Sequence, residues 1–113
     1  MRKHQIENAA YEVAIQVRAV EDSIEAALAE LAELQTRMIR ARGVTNANMV
    51  ASHAAFEQLA ATTNGLVAAR GSIGNCHVAL VETKQTIPGL RTVAIGDDDC
   101  PPASGRADLR VVA

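Results

Sequence analysis

Aromatic side chains are nearly missing from this 113-residue sequence, which has one Tyr, one Phe and no Trp. Sheet sandwiches and barrels draw on aromatic and β-branched residues for their packing, so an all-β fold is not expected. Glycine and proline are both absent from residues 2 to 42, and no proline occurs before Pro88. Nothing in that first stretch would break a helix. An excess of positive charge is missing too. The net charge of -2 leaves no electrostatic footprint for nucleic acid and no polybasic segment for an anionic membrane.

Cysteine is scarce. Cys76 and Cys100 stand in unlike surroundings, which argues against a disulfide framework and for reduced thiols. The opening "MRKHQIENAAYEV" is basic at first but polar immediately after, without the apolar core of a secretion signal. No run of 18 apolar residues is present to span a bilayer. A cytoplasmic location is the expectation.

What the sequence does have is heptad order. Ile6, Ala10, Val13, Val17, Val20, Ile24, Ala27, Leu31, Leu34, Met38 and Ala41 alternate steps of four and three, and all are apolar. That is a coiled-coil-type seam over more than five heptads. Ala14 and Leu28 widen it. Residues 4–42 are therefore predicted to form one helix, about 55 Å long at 1.5 Å per residue. Arg37, Arg40 and Arg42 favour the carbonyl end of its dipole. Gly43 suits the left-handed position past a helix end, and Thr45 or Asn46 can cap a new helix. So short a link makes the two helices antiparallel neighbours.

The second helix is predicted over 46–86. Leu59, Leu66, Ile73, Leu80 and Ile87 recur every seven residues, and Thr62, Ala69, Cys76 and Thr83 follow three later as a row of small side chains. Phe56 is its one ring. From Gly43 to Ala69 the only Asp, Glu, Lys or Arg is Glu57. A helix with one wet face carries charge there, so this one is expected to be covered on more than one side. Pro88-Gly89 stops it. Residues 88–113 read as a flexible or weakly β tail, in which Leu109, Val111 and Val112 are a candidate partner contact by strand addition.

Only "AARGSIGNCHVAL", Ala68 to Leu80, suggests chemistry. Gly71 and Gly74 lack the Gly-Lys-Ser/Thr of a phosphate loop and the G-x-G-x-x-G of a dinucleotide fold. Cys76 and His77 are sequence neighbours, about 100° apart on a helix, and cannot close on one metal ion. Cys76 is read as a small buried apolar residue on the second seam, and His77 as a solvated or interface histidine. Gly65, Gly71 and Gly74 are read as sites of close backbone approach, with a kink near 71–74 as the other explanation. "DDDC" (97–100) lacks the spacing of a calcium loop. No catalytic, cofactor or metal site is expected.

The hairpin plan is similar to that of the small secreted hairpins of the WXG100 type, but Arg42-Gly43-Val44 has no Trp-x-Gly. The alanine-rich character is similar to that of the granule-coating phasins, without a shared motif. Neither family is assigned. The expected architecture is all-α, a long antiparallel helical hairpin (1–87) that pairs with a second copy in a four-helix bundle or larger coiled-coil assembly. Val13, Val17, Val20, Ile24, Leu28, Leu31, Leu34, Met38, Phe56, Leu59, Leu66, Ile73 and Leu80 would form the packing interface, and Gly43, Thr45 and Asn46 the turn. The expected function is a non-enzymatic adaptor, scaffold or structural subunit whose partners are itself and another protein. The alternative is an amphipathic coat on a lipid or granule surface. A third reading is an enzyme site shared between subunits, built on His53, Cys76 and His77.

Overall fold

A computed structural model describes residues 2–46, 48–91 and 93. Two long helices form a hairpin: α1, Arg2–Thr45, and α2, Met49–Lys84. No strand occurs among the described residues. Both helices are single uninterrupted α-helices, and α2 runs through Gly71 and Gly74. The chain divides into two compact units. Unit 2, Asp22–Gly71, is the turn end of the hairpin, where the second half of α1 lies beside the first half of α2. Unit 1 joins the first half of α1, up to Glu21, to the chain from Ser72 onward.

The turn is three residues later than the sequence suggested. Gly43 lies inside α1, which continues to Thr45, and its side of the helix is open space. Asn46 takes the left-handed backbone, with φ of 59°; asparagine is the residue after glycine that tolerates this conformation. Thr45 neither caps α2 nor leaves α1: its hydroxyl donates to the Ala41 carbonyl at 2.8 Å, meeting one of the orphan carbonyls of the last turn. The cap of α2 is Asn48, whose Oδ1 accepts from the Ala51 amide at 2.7 Å. Asn48→Ala should therefore lower stability by about 1 kcal/mol, read as an earlier urea midpoint with an unchanged slope.

At its far end α2 tightens into three-residue turns, with amides of Gln85, Thr86 and Ile87 donating to the carbonyls of Glu82, Thr83 and Lys84. Pro88-Gly89 then makes a sharp turn, closed by Leu90 N–H to Ile87 C=O at 3.0 Å. Gly89 sits at φ of 96°, the positive value a type II turn needs in its second central residue. This turn folds Leu90 back into unit 1, where it is the most enclosed apolar side chain, 2% exposed. The start of the 88–113 segment is thus part of the packed structure. Leu109, Val111, Val112 and Cys100 lie outside the described residues.

The core is thin. Val17, Leu59 and Leu90 are the buried apolar residues among those described. Ile24, Leu28, Leu31, Met38, Phe56, Leu66 and Ile73 are half-buried, and Val13, Val20, Leu34 and Leu80 stay exposed. Two helices alone cover one stripe on each other and no more.

Candidate functional site

The interhelical seam differs from the predicted one in a systematic way. In α1 the row Ala10, Val17, Ile24, Leu31 and Met38 is enclosed as expected. The row that accompanies it is Glu7, Ala14, Glu21, Leu28 and Arg42, with Gln35 exposed; of the predicted row Val13, Val20, Leu34 and Ala41 are exposed, while Ile6 and Ala27 are half-buried. In α2 the Leu59, Leu66 and Ile73 row faces inward, with Ile87 beyond the helix end. Its companion is Phe56, Thr63, His77 and Lys84, with Arg70 of that row exposed; of the predicted row Thr62, Cys76 and Thr83 are exposed and Ala69 is half-buried. On each helix the second row is displaced by one residue. The contact is rotated toward the polar flank of each apolar stripe.

Polar contacts between the helices accompany the rotation. His77 Nδ1 lies 3.0 Å from Glu21 Oε2, and His77 is only 8% exposed. Arg70 Nε donates to Glu25 Oε1, and the carboxylate holds the guanidinium above its ordinary pKa, first by that hydrogen bond and then by its charge. Lys84, also buried, sends its ammonium to the Val93 carbonyl and so ties down the chain after α2. A buried charge is tolerated only with such partners. His77 is therefore a buried seam residue rather than a solvated one, and Cys76 one position earlier points away and is exposed.

In unit 1 an open apolar cleft of about 180 Å³ lies along this seam, lined among others by Val13, Val17, Leu80, Thr83 and Ile87, with His77 and Lys84 as its polar members. The polar groups are already engaged. His77 faces Glu21, Lys84 faces Val93, and the Thr83 hydroxyl donates to its own helix at the Ala79 carbonyl, 2.9 Å away. In unit 2, His53 sits on the exposed surface 3.8 Å from Glu57. Among the described residues no group of three His, Cys, Asp or Glu is placed to hold a metal ion. No helix among them is long and apolar enough to cross a membrane.

The rotated seam leaves most members of the rows the sequence had placed inside exposed. In an antiparallel pair, the rows flanking the core on one side come from matching heptad positions of both helices. On one side they are Ile6, Val13, Val20, Ala27, Leu34 and Ala41 of α1, and Ala55, Thr62, Ala69, Cys76 and Thr83 of α2. None is charged. The other side carries Arg18, Glu25 and His53, together with exposed Tyr11, Ile39 and Val67. The cleft of unit 1 is lined by Val13 and Thr83 of one side and by Val81 of the other. In unit 2 a hollow of about 260 Å³ is lined by Ile39, His53 and Phe56, among others.

The glycines of α2 have no neighbour among the described residues to explain them. A Cβ built on Gly65, Gly71 or Gly74 would meet nothing within 4 Å. Close approach between α1 and α2 is not their purpose. Gly71→Ala, on the outward side of α2, should stabilise the protein by about 1 kcal/mol through helix propensity alone, a rise of about 4–8 °C in melting temperature for a domain of this size. Comparison with protein-family models, curated proteins and solved structures finds no match to this chain.

Proposed function

We propose that the chain is a non-enzymatic helical assembly protein, an adaptor, scaffold or structural subunit that works by associating with copies of itself. One observation carries the reading: an apolar row along α1 remains in water, with Val13 47%, Val20 36% and Leu34 46% exposed. Soluble monomers seldom leave so much contiguous apolar surface uncovered. The engaged state of the polar groups around the cleft supports a structural role for them, fixing the register of the two helices. Retention of an untagged copy by a tagged copy, both purified, is the expected result when the two are mixed and allowed to exchange. Failure of any exchange or retention at micromolar concentration would remove this reading.

A second reading, a coat on a lipid or granule surface, has its own observation. Val44, Met49 and Val50 stand 85%, 68% and 86% exposed around the turn of unit 2. Such a tip offers little apolar area and lacks the basic residues and large rings of interfacial helices. Co-sedimentation with anionic vesicles that is lost in Met49→Ser/Val50→Ser would favour the coat; the assembly reading expects no co-sedimentation.

A further inference from the structure

We infer that the hollow near the turn of unit 2 is a binding site for a small organic carboxylate with an apolar body. The inference does not rest on the assembly reading. It concerns a different surface, and its failure would leave that reading untouched.

An unpaired cation carries it. Arg42 is half-buried in the last turn of α1, its Nε is shielded from solvent, and that nitrogen has no hydrogen-bond acceptor among the described residues. In the same unit Arg37 meets Glu33 and Arg70 meets Glu25. Arg42 is the most enclosed of the arginines in unit 2, yet it lacks such a partner. A buried polar atom left unpaired costs stability, more so when its group is charged. An anion seated against the guanidinium offsets that cost.

The hollow shapes the rest of the ligand. Its volume is about 260 Å³, and Arg42 shares the lining with Ile39, Met49, Ser52, His53 and Phe56. A guanidinium offers a carboxylate two parallel N–H bonds. Ile39, Met49 and Phe56 supply apolar walls for a hydrocarbon body, and the flexible thioether of Met49 adapts to its outline. The volume is below the roughly 300 Å³ at which sites for drug-sized molecules begin, so the body is short.

Charge narrows the class. The carbonyl end of α1 at Thr45 and the amide end of α2 at Met49 both belong to this tip, and their opposite half charges oppose each other. The side chains therefore decide. Arg42 brings one positive charge, while the Glu57 carboxylate stands 3.8 Å from His53 and would repel a doubly charged phosphate. The Ser52 hydroxyl already donates within its own helix, to the Asn48 carbonyl at 3.3 Å. One cation, a nearby acid and three apolar walls fit a singly charged acid with a hydrocarbon tail.

Calorimetric titration of the full chain with octanoate tests the site. Saturable binding of one octanoate per chain is expected, with a Kd of roughly 1 mM, the scale for so small a ligand. Arg42→Gln should weaken it about tenfold through loss of the charge-assisted contact. Octan-1-ol, the same body without the charge, should bind the parent about as weakly. Arg40→Gln, at a position that does not line the hollow, should leave the affinity unchanged. Arg42→Gln strands no partner and should fold as the parent does. If circular dichroism shows it unfolded, NMR of the parent decides: octanoate should shift the ring protons of Phe56, the single Phe, and leave those of Tyr11 unmoved. N-acetyl-Leu-Val presents the same carboxylate as a peptide end; tighter binding than octanoate gives the site to a chain terminus, weaker binding to a free acid. No saturable binding below about 20 mM, twenty times the expected constant, overturns the proposal. So does unchanged affinity in Arg42→Gln, equal binding of octan-1-ol, or tighter binding of inorganic phosphate.

Discussion

Leu59→Ala is expected to lower the unfolding free energy by about 2–4 kcal/mol, the range for truncating a buried leucine. The side chain is 7% exposed and belongs to a core with very few enclosed apolar residues. Domains are stable by only about 5–15 kcal/mol in total, so this one change removes a large share. The neighbouring structure consists of two helix backbones held by their own hydrogen bonds, which cannot collapse into the space a leucine leaves. Urea unfolding at fixed protein concentration measures the loss. Val67→Ala is the control: that valine is 54% exposed on α2, and its truncation should move the midpoint by less than about 0.5 kcal/mol. Equal effects from the two positions would mean that Leu59 does not face α1.

Glu21→Ala should also be costly, by about 1–3 kcal/mol, because it leaves the buried His77 ring without the acceptor 3.0 Å away. The more informative variant removes both members. With Glu21→Leu and His77→Leu together, no polar group is stranded and the seam gains two side chains of the kind found elsewhere in it. Replacing both partners of a buried hydrogen bond by apolar groups of similar shape is commonly near neutral. The double variant should therefore lie within about 1 kcal/mol of the parent, and the two single changes should be strongly non-additive. Additive losses would show that Glu21 and His77 act separately.

Those two residues also show where the sequence could be read and where it could not. The helices were legible because the α1 stripe is unbroken from Ile6 to Ala41 and no glycine or proline intervenes before Gly43. One row of each seam was legible for the same reason: Val17, Ile24 and Leu31 on α1, and Leu59, Leu66 and Ile73 on α2, are apolar at every turn. The companion rows were not. Each apolar row has a neighbour three residues away and another four residues away, and hydrophobicity favours Val13 and Val20 over Ala14 and Glu21. On α2 it favours Ala69 and Cys76 over Arg70 and His77. The inner choice goes instead with polar pairing: Glu21 on one helix meets His77 on the other, and Glu25 meets Arg70 at the exposed edge of the seam. A search of both helices for opposite charges on facing rows would have found these pairs.

The turn taught a smaller lesson. Gly43 was the obvious residue for a left-handed backbone, yet Asn46 adopts it, because α1 keeps its hydrogen bonding to Thr45. Leu90 was hidden by its setting after Pro88-Gly89, in a stretch whose composition reads as tail. Only the reversal at Gly89 brings it back against the helices.

Sedimentation equilibrium of the intact chain is the plainest judge of whether a sibling covers what one hairpin leaves bare. Twice the 11.9 kDa chain mass at micromolar concentration, or a closed multiple of that pair, is the predicted value. A single species at 11.9 kDa across the whole concentration range, with Val13, Val20 and Leu34 in water, would contradict it.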